Sequence, residues 1–342
     1  MSSTTNDFDF QKFSSILDKS RKQSRKKEYQ CCIPGCNEVA LLHSHLVSQS
    51  ALKKYICDDK HQLIQNQIDE INPMAAVKTR EITLEKFYTI GISEAMSMPV
   101  FCKKHDNDLF CEFEGDADSA DPYNPRFQIL QALRAIGALR YRELKRIEQN
   151  TIKASIDNLY SGWVYQEEMQ MCKNLVRRYD STISNLYKAV KTDDFGNYEF
   201  VCFELEPLKL AICDAFIDDT DLEEHIMDDA YSIPVKALYI NLIPNNNNSY
   251  LFIGYDKKNV SNALIELLEK WKFAFKDGLD IKVLYAILCH CSNNWCISPD
   301  CDSRIIEYLE NNYSNDRIDI IFKIRSYICL NRNHLNNLFL IL

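Results

Sequence analysis

The chain has 342 residues, of which 46% are hydrophobic, enough for two or three domains around a real core. Its net charge of −9 argues against nucleic acid being held by the surface as a whole. No stretch approaches the roughly 18–20 apolar residues of a membrane span, and the polar start MSSTTNDFDFQKFSS lacks an apolar signal segment. A cytoplasmic protein with no membrane partner is therefore expected. Fourteen cysteines in such a chain read as metal ligands and buried thiols, not disulfides. Cys172, Cys202, Cys213 and Cys329 each sit alone among apolar neighbours and read as core.

The charge is unevenly spread. Residues 1–30 carry a balance of +3, 31–111 of −2, 112–121 of −5, 122–191 of +6 and 192–342 of −11. The lead-in, residues 1–30, ends in KSRKQSRKK, six of whose nine residues are basic. This lead-in and the basic segment 122–192 are the places where a DNA or RNA backbone would be favoured. A solvated helix face is the alternative reading.

In chain order, residues 31–121 form the first folded unit, and EFEGDADSADPYNP at 112–125 reads as a linker or loop. Apolar residues near the helical period (Ile129, Leu133, Ile136, Leu144, Ile147) predict a helix over 126–150. A second helix is predicted over 162–191, with Met169, Cys172, Val176 and Tyr179 on its buried stripe. The pattern then changes to β-rich runs at 198–205, 210–217, 235–243 and 250–255, the last two joined through Pro244 and four asparagines. Helical patterns follow at about 258–275, 279–292, 302–312 and 317–330. Strands first and helices later predict an α+β domain with an antiparallel sheet over 193–342.

The segment CCIPGCNEVALLHSHLVS carries the chemistry. Cys31-x4-Cys36 encloses Pro34 and Gly35 in a tight turn, which lets two thiolates face one cation. Cys102-x2-His105 supplies a second pair, and Cys3His is a closed tetrahedral set suited to structural zinc. Cys32, with a shorter spacing to Cys36, rivals Cys31; Cys57 and Cys111 are more distant alternates. His43 and His45 lie between the pairs.

The stretch from Cys31 to about Glu143 resembles an uncharacterised bacterial family of zinc-finger proteins with an HNH-like treble clef. The resemblance rests on Cys31 and Cys36, Ser44-His45, Ile90-Gly91-Ile92 before Ala95, Phe101-Cys102-Lys-Lys-His105-Asp106, Phe113-Glu114, and the helix Phe127-Gln-Ile-Leu-Gln-Ala-Leu-Arg134-Ala-Ile. It implies a metal-dependent nuclease of the kind found in antiviral defence or mobile-element cargo. His45 would be the general base, with Asp106 as a ligand or orienter of a catalytic Mg²⁺ or Mn²⁺. Four departures stand against that pattern. Ser44 occupies the place of the usual acid before the histidine. The second pair is Cys-x2-His-Asp instead of Cys-x2-Cys-Asn. No histidine stands one or two helical turns beyond Asp106. The insert 46–101 is long. A non-catalytic zinc-stabilised module binding nucleic acid or a protein is therefore the rival reading, with the C-terminal half as the surface for a protein partner.

The remaining clusters are weaker. Cys289, His290, Cys291, Cys296 and Cys301 sit around Trp295 and Pro299 and read as a packed turn. Glu204, Glu206, Asp214, Asp218 and Asp219 read as loop charge, and His61, His225 and His334 as structural. With eight glycines in the chain, there is no phosphate-cradling loop and no Rossmann or Ser-His-Asp pattern.

Overall fold

The computed structural model describes residues 26–68, 85–116, 118, 120–156, 162–218, 233–290 and 294–301. It also describes 15, 19, 20, 22–24, 303, 305 and 307. The class is mixed helix and antiparallel sheet. A two-stranded antiparallel sheet pairs β1 (Ser44–His45) with β4 (Ser97–Met98). The main sheet has seven strands: β2 (Gln62–Ile68), β3 (Glu85–Gly91), β5 (Tyr198–Leu205), β6 (Leu210–Asp218), β7 (Lys236–Pro244), β8 (Ser249–Asp256) and β9 (Trp295–Ile297). Their order is β3-β2-β9-β6-β7-β8-β5, every neighbouring pair antiparallel.

The four strands from β5 to β8 follow from their sequences. Along β6, Ala211, Cys213, Ala215 and Ile217 enter one core while Leu210, Ile212 and Phe216 enter the other. That period of two fixes the register, because a one-residue slip would exchange the two faces. Helices α4 (Asn262–Ala274) and α5 (Ile281–His290) cover the second face. The first face is covered by α2 (Pro125–Ile156) and α3 (Gly162–Thr192), together with the N-terminal unit. The sequence patterns at 302–312 and 317–330, and His225, His334 and Cys329, lie largely or wholly outside the described residues.

Two parts of the sheet differ from expectation. β2 and β3 come from the insert 46–101, and β2 pairs with β9, which the sequence suggested was a turn. One sheet thus draws strands from both 31–121 and 193–342. The β1–β4 strand pair closes the same insert at its base, where Leu46 N–H donates to Met96 O at 2.7 Å. Part of the expected 112–125 linker is helical, since α1 (Lys103–Glu114) runs through Glu114.

α2 starts where capping dictates. Asn124 Oδ1 accepts from Arg126 N–H at 2.9 Å, and Pro125 occupies the first helical position, where its missing N–H costs nothing. Aromatic rings then tie the layers together. Phe101 meets Phe110 at 5.1 Å, Phe113 meets Phe127 at 4.9 Å, and Phe127 meets Phe252 of β8 at 5.9 Å between centroids. α2 also packs tightly on the N-terminal unit at Gly137. A Cβ there would stand 2.4 Å from Val100 Cγ1 and 3.6 Å from Cys32 Sγ. Gly137→Ala should therefore destabilise the fold by about 1–3 kcal/mol, the range for overpacking a filled core. Urea midpoints should show the loss, and adding Val100→Ala should recover part of it.

Candidate metal centre and the polar cluster beside it

Local backbone geometry builds each half of the metal centre. Gln30 bridges to Val39, Cys31 N–H donates to Glu38 O at 2.9 Å, and Cys36 N–H donates to Ile33 O at 3.0 Å. This closes the Ile33–Cys36 turn, in which Gly35 has φ +75°, a left-handed conformation that glycine adopts without strain. The second half is the start of α1. Cys102 is the cap residue and its carbonyl accepts from Asp106 N–H at 2.8 Å. His105 follows one turn later on the same face.

The two halves meet. Cys36 Sγ lies 3.8 Å from Cys102 Sγ. His105 Nδ1 lies 3.3 Å from Cys102 Sγ and 3.5 Å from Cys31 Sγ. All four ligand atoms fall within 4.8 Å of one another. Tetrahedral zinc, with bonds near 2.3 Å to sulfur and 2.0–2.1 Å to nitrogen, requires edges of about 3.8 Å between sulfurs and about 3.5 Å from sulfur to nitrogen. Cys31, Cys36, Cys102 and His105 thus form a group that can hold a metal ion such as zinc. Burial pushes the Cys31 thiol well above its ordinary value, so an incoming cation has to displace its proton. Burial also lowers His105, favouring the neutral imidazole that a metal needs.

The choice among cysteines is settled by direction. Cys32 turns its fully buried thiol toward Gly137 of α2, while Cys31 faces His105. Cys57 donates to Lys53 O at 3.0 Å, and Cys111 is exposed on α1. In the C-terminal cluster, Cys296 and Cys301 are buried in opposite cores. Cys291 lies outside the described residues, as does Asp219. Among the remaining acids, Glu204 bonds Asn248, and buried Asp214 lies 3.9 Å from the Arg142 guanidinium.

Beside the metal centre lies a polar cluster. His43 lies just outside β1 and His45 within it. Exposed His43 meets Ser97 Oγ at 3.1 Å, while His45 is half-buried with Nε2 3.4 Å from Ile92 O. Ser44 Oγ donates to Asp106 Oδ1 at 2.5 Å. His45 and Asp106 lie within electrostatic reach of each other and of Glu114 and Arg134. Burial is the largest influence on both, lowering His45 and raising Asp106. Arg134 is only 1% exposed, pairs with Glu114, and sets its guanidinium 3.8 Å above the Phe110 ring. Sequence reasoning placed Glu114 and Arg134 in the family pattern without giving either a role. Their spacing carries no signal, because tertiary packing brings them together.

The basic segment is largely neutralised within the chain. Arg126 faces Glu112 and Asp193, Arg140 pairs with Asp180, and Arg146 pairs with Glu143 and Glu168. The lead-in keeps its charge outward: Ser20 and Ser24 are buried while Lys19, Lys22 and Lys26 are exposed. Among the described residues, no helix is long and apolar enough to cross a membrane. Comparison with protein-family models, curated proteins and solved structures yields no match.

Elemental analysis should find one metal ion per chain, retained in Cys32→Ser and lost in Cys31→Ser. A structural zinc contributes on the order of 10 kcal/mol to folding, comparable to a whole domain's net stability. Cys31→Ser should therefore lose cooperative melting of the N-terminal unit, and Cys32→Ser should keep it.

Proposed function

We propose that this chain is a zinc-structured protein with a treble clef of HNH-like order, and that it binds nucleic acid without cutting it. The Cys31–Cys36 turn, the β1–β4 strand pair and the start of α1 lie around the Cys3His group, which supports that reading. The observation that carries the non-cleaving reading is the state of the two carboxylates beside the centre. Asp106 accepts the Ser44 hydroxyl and Glu114 pairs with a buried guanidinium. Metal-assisted phosphodiester hydrolysis needs open carboxylate oxygens around a hydrated cation. Among the described residues, the Cys3His set is the one group of three or more potential ligands whose atoms converge. The outward face of Lys19, Lys22 and Lys26 supports phosphate binding, because their side chains are exposed beside serines that are buried.

A second reading, metal-dependent cleavage with His45 as the base, is favoured by one observation. Burial lowers His45, so its imidazole is neutral and able to accept a proton at neutral pH.

Fluorescence anisotropy with labelled duplex DNA, single-stranded DNA and RNA, run beside cleavage assays in Mg²⁺ and Mn²⁺, separates the readings. The expected result is salt-sensitive binding and no cleavage. Replacing Lys19, Lys22 and Lys26 by Ala should reduce the magnitude of the log–log salt slope by about 2–3, since each phosphate contact contributes about 0.7–0.9. Cleavage that disappears in a zinc-loaded His45→Ala protein would establish the second reading. Absence of both binding and cleavage would reject nucleic acid as the ligand.

A further inference from the structure

We propose that the outer edge of β5 is a docking edge for an extended cationic segment of a partner protein, which joins the sheet as an added strand. β5 stands at one end of the seven-stranded order, and its pairing with β8 runs without a bulge from Tyr198↔Asp256 to Leu205↔Ser249. In an antiparallel pair, alternate residues turn their N–H and C=O groups away from the partner, so about half of β5 presents them outward. Among the described residues, the one backbone–backbone bond of β5 outside that pairing is Tyr198 N–H to Phe195 O at 2.9 Å. Proteins commonly guard such an edge with proline, lysine or a bulge. β5, YEFVCFEL, has none of these.

The side chains leave that row accessible. On the first face the Phe200 ring folds inward over Gly254 of β8, with its centroid 6.5 Å from that of Tyr239 on β7. On the second face Phe203 turns toward Phe275, just beyond α4, at 5.3 Å between centroids. Phe200, Val201, Cys202 and Phe203 are only half-buried, so an added strand gains apolar contact on both faces. Charge selects the occupant. Glu199, Glu204 and Glu206 are exposed, and residues 198–206 hold no lysine or arginine. Lys257 and Lys258 lie beyond the start of the strand, after β8. Like charges that meet across a strand pair are destabilising, which disfavours a second copy docked through the same edge. A segment with lysine or arginine at its ends is favoured. Main-chain bonds give the affinity, and the charges give the choice of partner.

This inference is independent of the nucleic-acid reading, and nucleic acid is absent from its test. The probe is a capped peptide of alternating valine and threonine with lysine at both ends. It is compared with a glutamate-ended form and with a form whose internal amides are N-methylated. Residue-resolved amide exchange of the full chain should be fast at alternate β5 positions and should slow there when the lysine peptide is added. The glutamate-ended peptide should bind at least about tenfold more weakly, and the N-methylated form should not bind. Glu199→Lys/Glu204→Lys protein should keep its melting midpoint and reverse the preference between the lysine and glutamate peptides. No slowing at millimolar lysine peptide would overturn the proposal, as would binding that survives N-methylation. Outward amides already protected in the free chain would place another occupant on the edge and overturn it too. So would a dimer, seen in sedimentation, whose formation protects them.

Discussion

Three thiols and one imidazole gathered into the span of a single ion are the constraint on which the rest of the N-terminal unit depends. They join a turn at Cys31–Cys36 to a helix start at Cys102–His105, across some 65 intervening residues. Short range alone would not hold those segments. The β1–β4 pair has two residues in each strand, too few to persist by themselves. With the ligands drawn together, Cys32 N–H reaches Val100 O and Leu41 N–H reaches Phe101 O, and the two segments run side by side. Phe101 and Phe110 are then buried at the root of α1. Metal affinity and folding are one free energy in such a unit.

From that root the structure spreads outward by packing and charge. Gly137 admits α2 to the back of the Cys31–Cys36 turn, the phenylalanines continue the contact to β8, and the insert returns through β2 to pair with β9. The arginines of α2 serve this assembly. Arg134 reaches α1, Arg140 and Arg146 reach α3, and Arg142 donates to Asn294 Oδ1 at 2.6 Å beside buried Asp214. Exposed pairs of this kind contribute little stability each. The pairs made by Arg134 and Arg142 matter more, because removing one partner leaves a buried charge uncompensated. A segment that reads as a basic surface is, in large part, an internal clamp.

Much of this was legible in the sequence, and the failures have physical causes. The strands at 198–205 and 250–255 and the helix at 162–191 show their periods over six or more residues, so their ends fall close to those expected, while the helix expected over 126–150 runs on to Ile156. β9 is three residues long, Trp295–Ile297, and exists because β2 and β6 flank it. β2 reads QLIQNQI, whose glutamines and asparagine hide the strand from propensity. The four candidate ligands were visible as two spaced pairs, with Cys32, at a shorter spacing, as the rival of Cys31. The structure separates them, with Cys31 facing His105 and Cys32 facing α2. Ser44, His45 and Asp106 were found as neighbours of the metal-binding pairs. The role of Arg134 was not, because an arginine among other arginines on a helix gives no sign that its side chain is buried.

X-ray absorption at the zinc K-edge of the purified full chain tests the central claim most directly. The account predicts a first shell of three sulfurs near 2.3 Å and one imidazole nitrogen near 2.0–2.1 Å, about the distances of closed structural sites. A shell dominated by oxygen and nitrogen, or a folded chain that carries no zinc, would contradict it.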